Sequence, residues 1–276
     1  MIKLIASDLD GTLLQNGPEA LDPEIFELIL KLKEKGILFV AASGRQYPSM
    51  KRLFAPIWRD IVFVGENGAL ILYRDVILGR QTVPREMGQE IIREIQAHGH
   101  QAVVSCEDAS YIAAGNPAFR DYLTQSLGNS MAVVDDLCSV DGEYLKISAY
   151  IPQKNALEEV AHYQAKWGKE LHVAVAGNAW VDHTTASKGD ALEKLKARLK
   201  LDRGEMMAFG DNFNDETMLL AVEHSYAMAG AHENIKKISA HVCTRVEDVL
   251  KNLLLTPEDN IQDVAWMDRI NSIISS

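Results

Sequence analysis

The stretch IASDLDGTLL, residues 5–14, decides how this chain is read. An apolar run ends in two aspartates, Asp8 and Asp10, followed by Gly11 and Thr12, which read as a turn. A carboxylate at the end of a buried strand is costly unless a cation meets it. Two of them one residue apart also repel each other. Some other part of the chain must neutralise the pair.

Working outward, residues 2–7 read as a continuous apolar strand. Asp22-Pro23 opens a helix, with Asp22 as N-cap and Pro23 at the first helical position. Ile25, Leu28, Ile29 and Leu32 recur at helical spacing, and Gly36 marks the stop. ILFVAAS (37–43) is the next strand. Strand, helix, strand, with both strands apolar throughout, is the pattern of a parallel sheet covered on both faces. IVFVGENGALILY (61–73) reads as a strand, a Gly-rich turn and a hairpin return. The chain is therefore expected to be α/β, with a doubly wound, Rossmann-like, mostly parallel sheet.

From about Val83 the texture changes. PREMGQEIIREIQAHG is an amphipathic helix, QAVVS and YIAAG are short strands, and PAFRDYLTQSLG is a second helix. EYLKISAYI alternates like a half-exposed strand, KNALEEVAHYQAKWG is a third helix, and LHVAVAGNAWVDHT is a hairpin. This block reads as an α+β unit with an open sheet. The doubly wound pattern then resumes with helix 188–199, strand 205–211, a helix from Asn214, a strand SYAMAG, a helix near 232–239, strand HVCT and helix 246–254. The expected division is a core of residues 1–82 plus 183–276 with an inserted domain at 83–182. The tail 257–276 has no assignable role.

The bulk properties exclude several classes. The chain has 276 residues, with 28 Lys and Arg against 39 Asp and Glu, a formal charge of −11. A nucleic-acid partner would want a basic face. Cys106, Cys138 and Cys243 are far apart, with no CxxC, which fits reduced thiols in a cytoplasm. The N-terminus carries Lys3, Asp8 and Asp10 and does not read as a signal peptide. No apolar segment is long enough to span a membrane.

In an open α/β sheet, ligands bind beyond the carboxyl ends of the strands. The first strand delivers Asp8 and Asp10 there, and the second delivers Ser43, Gly44 and Arg45. The helix after the insert begins at Ser187-Lys188-Gly189. The strand MMAFGD delivers Asp211, followed by Asn212, Asn214 and Asp215. Several carboxylates at one edge want a hard divalent cation with oxygen ligands, and Mg²⁺ is the usual fit. Lys188, Ser43 and backbone N–H groups want an anion. A metal, a lysine, a hydroxyl and helix N-termini together make a phosphate site. The bland readings are that Arg45 is a surface residue, Ser187 a plain N-cap, and Asn214 and Asp215 a helix start. Gly65, Gly68 and Ala69 are turn chemistry, and whether Asn67 reaches the site stays open.

DLDGTLL, SGR, SKGDAL and GDNFND, in that order, resemble the four motifs of the haloacid dehalogenase superfamily of phosphatases. The insert between SGR and SKG resembles the type IIB cap of the Cof-like branch, and GENGA and GDNFNDETML are similar to that branch. The resemblance implies Asp8 as the nucleophile, forming an aspartyl-phosphate, and Asp10 as the general acid and base. It implies Mg²⁺ held by Asp8, the Asp10 main-chain carbonyl and Asp211, with Asp215 beside the metal or Lys188. It implies phosphate contacts from the Leu9 amide, Ser43, Gly44 and Asn214, with Arg45 at the substrate and Lys188 shielding the nucleophile. Aspartate at position 10, where the ion pumps of the superfamily carry Thr, favours fast hydrolysis. The segment His183–Gly189 lacks the Pro and first Gly of the family's usual Pro-x-Gly-Val-Ser-Lys-Gly.

The expected partner is a small phosphorylated metabolite, a sugar phosphate or phosphorylated cofactor. A phosphomutase with the same chemistry and a non-catalytic phosphometabolite sensor are the alternatives.

Overall fold

The computed structural model describes residues 1–15, 20–126, 130–151, 156–176, 179–255 and 264–272. Parts of the expected helices at 117–128 and 154–168, of the hairpin loop near 177–178 and of the tail lie outside the described residues. The first part of the chain runs β1 (Leu4–Ser7), α1 (Pro23–Glu34), β2 (Leu38–Ala42), α2 (Tyr47–Leu53), β3 (Val62–Gly65), β4 (Leu70–Tyr73) and β5 (Val76–Arg80). The second sheet follows with α3 (Arg85–Ala97), β6 (Gln101–Ser105), β7 (Ser110–Ala113), α4 (Pro117–Asp121), β8 (Met131–Val134), β9 (Lys146–Tyr150), α5 (Ala156–Trp167), β10 (His172–Ala176) and β11 (Trp180–Thr184). The chain returns through α6 (Lys188–Leu199), β12 (Met206–Gly210), α7 (Glu216–Leu220), β13 (His224–Met228), α8 (Glu233–Ile238), β14 (His241–Cys243), α9 (Val246–Leu255) and α10 (Val264–Ser272).

The first sheet has eight strands in the order β14-β13-β12-β1-β2-β3-β4-β5. Its pairings are parallel from β14 to β3 and antiparallel for the β3–β4 and β4–β5 hairpins. Strands β1, β2 and β12 are buried at every position, as strands sandwiched between helices must be. The α/β, mostly parallel architecture is the one the sequence called for. Asp22 caps α1, accepting from the Glu24 amide at 3.0 Å. The neighbours β1, β2 and β12 end together, so their C-terminal residues share one edge.

The second sheet has six strands, β10-β11-β9-β6-β7-β8, antiparallel except for β7–β8. It has its own hydrophobic core, with Ile91, Ile92 and Ile95 of α3 and Tyr163 of α5 packed on one face. Its last strand continues to Thr184 and meets α6 after three residues. Strands β5 and β8 are absent from the sequence reading. Strand β5 is largely exposed and β8 largely half-buried, and each is only four or five residues long.

The tail contains α10, which docks Trp266 into the core at full burial. Its indole N–H donates to the Gly36 carbonyl at 2.5 Å, and Arg269 donates to the Leu199 carbonyl at 2.9 Å. This contact lies at the N-terminal end of β1, where Lys3 sits over the indole. It is the edge of the sheet opposite Asp8. Trp266→Ala is expected to lower the unfolding free energy by about 3–5 kcal/mol, as other large-to-small core truncations do. A urea titration checks this, and the catalytic rate per folded molecule should be retained.

Candidate active site

The first strand carries Asp8 out of the sheet but leaves it buried, at 4 % exposure. Its backbone is tied to the neighbouring strand by Asp8 N–H donating to the Phe209 carbonyl at 3.0 Å. The chain then turns sharply, with the Thr12 and Leu14 amides both donating to the Leu9 carbonyl. Gly11 sits at φ +93°, and a Cβ there would lie 2.2 Å from Oδ2 of Asp211. The glycine is needed both for the left-handed backbone and for the close pass of the aspartate. Thr12 Oγ1 donates to Asp211 Oδ1 at 3.1 Å, so the first loop also orients the residue after β12.

The cation that meets Asp8 is Lys188. It stands at the first position of α6, fully buried, and its Nζ lies 2.5 Å from Asp8 Oδ1 and 2.6 Å from Asp215 Oδ1. The helix start is fixed by Ser187, which accepts from the Asp190 amide while Asp190 accepts from the Ser187 amide. Ser187 is thus a true N-cap, and its carbonyl passes so close to Gly68 that a Cβ there would lie 2.0 Å away. Asp215 Oδ2 accepts from the Asp211 and Asn212 amides at 3.0 and 3.1 Å.

Carboxylate oxygens of Asp8, Asp211 and Asp215 lie within 4.8 Å of one another. One ammonium does not balance three such groups. Burial, then the Asp215 charge, pushes the Asp8 carboxyl well above the usual carboxylate range, and Lys188 opposes this only in part. Burial and Asp215 likewise push Asp211 up to about 6. Burial alone would lower the Lys188 ammonium, but Asp215 and Asp8 outweigh it and raise it. Three oxygen donors with unbalanced negative charge fit a hard divalent cation.

Asp10 behaves differently from Asp8. Its side chain is half-exposed and lies outside the carboxylate cluster, held by Arg45 through Nε at 2.8 Å and NH2 at 2.5 Å. Ser43 is buried, and its Oγ accepts from the Arg45 amide at 3.2 Å. Asn214 Nδ2 donates to Asn67 Oδ1 at 3.2 Å, so Asn67 does reach the site. Asp8, Asp10, Ser43, Gly44, Arg45, Asp211 and Asn214 line one cavity of about 540 Å³ between the two sheets.

Several lining residues come from elements the sequence reading did not single out. Lys146 of β9 crosses from the second sheet and is buried. Its Nζ donates to the Gly44 carbonyl at 2.6 Å and pairs with Glu66 at 2.9 Å and Asp182 at 3.4 Å. Asp182 of β11 also accepts from Asn67 and from Ser148, each at 2.6 Å. Gln46 reaches back, donating to Ser110 Oγ at 2.6 Å and accepting from the Ser130 amide at 2.9 Å. Alternation in β9 and β11 showed which side chains share a face, not what lay across from them.

A parallel sheet whose C-terminal edge gathers an aspartate cluster and a buried lysine, under a second sheet inserted in the chain, defines a capped phosphatase. Residues 5–251 match the haloacid dehalogenase-like hydrolase family, and the chain belongs to it. It is 25 % identical over 243 residues to the 5-amino-6-(5-phospho-D-ribitylamino)uracil phosphatase YbjI of Escherichia coli (strain K12), covering 83 % of this chain and 86 % of that one. A crystal structure from Eubacterium rectale is 32 % identical with a TM-score of 0.81, covering 91 % of this chain and 99 % of its own. The structure of the subclass IIB sugar phosphatase BT4131, 18 % identical over 91 % of this chain and 98 % of its own, shares the fold at a TM-score of 0.79. No helix among the described residues is long and apolar enough to cross a membrane.

Removing the Lys146 ammonium leaves Glu66 and Asp182 buried without their cation. Lys146→Met is expected to destabilise the protein by about 3–5 kcal/mol, as breaking a buried ion pair from one side does. Adding Glu66→Gln should recover part of that loss. A double-mutant cycle by chemical denaturation measures the coupling.

Proposed function

We propose that the protein is a Mg²⁺-dependent phosphatase of small phosphate monoesters, acting through an aspartyl-phosphate on Asp8. The observation that carries this reading is the cluster of buried Asp8 and Asp215 with half-buried Asp211, in which a single ammonium, Lys188, pairs with Asp8 and Asp215. Asp8, Asp211 and the Asp10 main-chain carbonyl would hold the metal, with Asp215 beside it. When bound, Mg²⁺ supplies positive charge that lets a dianionic phosphate approach a carboxylate and aligns the phosphoryl oxygens.

The Asp8 carboxylate attacks phosphorus, and the bond from phosphorus to the alcohol oxygen breaks. Asp10, which faces the cavity, gives its proton to the leaving oxygen. The same carboxylate then takes a proton from a water that attacks the phosphorus of the aspartyl-phosphate, releasing inorganic phosphate and restoring Asp8. Arg45 steadies Asp10 and meets the substrate. Ser43 accepts the Arg45 amide and so keeps its own hydroxyl hydrogen for a phosphoryl oxygen, with the Leu9 and Gly44 amides and Asn214 as further donors. Lys188 shields the nucleophile from the incoming charge.

The second sheet closes the cavity over these groups and keeps bulk water from the intermediate. The substrates are small phosphorylated metabolites such as sugar phosphates or phosphorylated cofactors, in line with the relative that acts on a ribityl phosphate.

Phosphate release from a panel of phosphomonoesters with Mg²⁺ tests this reading. Asp8→Asn should lower turnover by about a thousandfold or more, as loss of a covalent nucleophile does, while leaving the thermal midpoint near wild type. Substantial turnover by that variant would remove Asp8 from the nucleophile role. Release from no compound by wild type would leave the phosphomutase and sensor readings.

The titration of Asp211 gives a second test. Its folded-state value is raised to about 6, so between about pH 4 and 6 the metal-free folded state holds more protons than the unfolded chain, and its stability falls as pH rises. Ionised carboxylates are also the ones that bind metal. Mg²⁺ should therefore raise the thermal midpoint more at about pH 7.5 than at about pH 5, and Asp211→Asn should abolish most of that rise. Equal rises at both pH values would contradict the assignment.

A further inference from the structure

The end of the cavity away from Asp8 differs chemically from the phosphate end. Trp180 of β11 and Tyr122, which follows α4, form its wall together with the buried Val103 and Leu123. The two rings are backed by others. Trp180 lies 4.7 Å from Tyr150, centroid to centroid, and Tyr150 stacks on Phe119 at 4.9 Å and 24°. Tyr122 lies 5.6 Å from Tyr150. These side chains pack on a small hydrophobic cluster of Val103, Ile112, Phe119 and Leu123, separate from the main core of the second sheet. Rings supported this way are preorganised and lose little freedom when a ligand packs on them.

The charges of the cavity point the same way. Among the described lining residues, the cations are Arg45 and Lys146. Arg45 is engaged by Asp10 through two hydrogen bonds. Lys146 is shared by Glu66, Asp182 and the Gly44 carbonyl. Each already has a carboxylate as counter-charge, and Arg45 serves the phosphate end, so neither adds uncompensated positive charge for a second anionic group. Of the hydroxyls nearby, Ser148 donates to Asp182, and Ser110 accepts from Gln46 and shares a hydrogen bond with Ser105. A carboxylate or second phosphate brought to this end would lose its water and meet no unpaired cation, while facing Asp182.

We propose that the alcohol portion of the substrate presents a flat, uncharged ring that packs on Trp180 and Tyr122, and that it carries no second anionic group. This rests on the phosphatase reading for the phosphate end. It narrows the substrate to ring-bearing monophosphates and sets bisphosphates and phosphorylated hydroxyacids aside.

The test uses three primary alkyl esters that differ only at the far end: propyl phosphate, 3-phenylpropyl phosphate and 3-phosphooxypropanoate. With Mg²⁺, wild type should hydrolyse the phenyl ester with a kcat/KM about tenfold or more above the propyl ester, the scale expected for one well-packed ring. The carboxylate ester should fall below the propyl ester. Trp180→Ala should bring the phenyl-to-propyl ratio close to one, and Trp180→Phe should keep most of it, which separates loss of the ring from collapse of the wall. Asp182→Asn should raise the carboxylate-to-propyl ratio.

Calorimetric Kd values for the same three esters on Asp8→Asn read the preference without turnover. Equal Kd values for the phenyl and propyl esters, or a carboxylate ester bound as tightly as either, overturn the proposal whether or not the wild type hydrolyses them. Hydrolysis of none of the three by wild type, with the phenyl ester still bound most tightly by Asp8→Asn, counts against the phosphatase reading and leaves the ring preference standing.

Discussion

The structure turns on one buried ammonium. Lys188 has no exposed surface, and neither has Asp215; Asp8 has almost none. Taking such groups out of water costs several kcal/mol each, and their attraction repays this only when the geometry is close. The contacts of 2.5 and 2.6 Å meet that condition for the ammonium. They do not meet it for the carboxylates, which still outnumber the cation. The fold therefore holds a standing deficit of positive charge at the end of β1. The raised Asp8 and Asp211 carboxyls are its expression. A site that must bring in a cation and then a phosphate is built as an unbalanced anion with one fixed positive charge inside it.

The same logic recurs a few ångströms away, with a different purpose. Glu66 and Asn67 both adopt left-handed backbone, at φ 50° and 56°. That conformation costs a non-glycine residue about 1 kcal/mol or more and persists only where the surroundings fix it. Here the fixing groups come from both sheets. The Glu66 and Asn67 amides donate to the Arg45 and Ser43 carbonyls, while their side chains meet Lys146 and Asp182. The turn is thus a junction through which the second sheet touches the loop carrying Ser43. Burial raises the Glu66 carboxyl although Lys146 opposes it, while Lys146, which burial would lower, is raised by Asp182 and Glu66.

What the sequence disclosed follows from how information lies along a chain. Apolar runs that end in Asp8, Ser43 and Asp211 are visible in one dimension, because a parallel sheet stacks its strand ends. The order of those runs sufficed to bring Asp8, Lys188, Asp211 and Asp215 together on paper. Lys146, Asp182 and Trp180 were not legible in this way. Each sits at an ordinary alternating position of an antiparallel strand, and its importance depends on what faces it from another sheet. Strand β5 was missed because its apolar run is only three residues long and ends in Gly79 and Arg80, and Trp266 because its helix is short and follows a polar segment. The mixed outcome for Asp8 and Asp10 is instructive. The opening pair looked like two equal charges to be neutralised together, but one is buried on Lys188 and the other stands half-exposed on Arg45.

The two crossings between the sheets are tied to each other. Gln81 Nε2 donates to the Thr185 carbonyl at 3.1 Å, and Thr185 Oγ1 donates to the Thr82 carbonyl at 3.2 Å. Two short connections joined side by side behave as a pivot, and displacement about a pivot grows with the lever arm. Lys188 is three residues from Thr185, at the first position of a capped helix, so its arm is short and its direction is fixed by the core. Trp180 and Tyr122 hang at the far end of the second sheet. Rocking of that sheet has first to release the Lys146–Gly44 and Gln46–Ser110 contacts, and it then moves the wall that meets the alcohol much farther than the charges that meet the phosphorus.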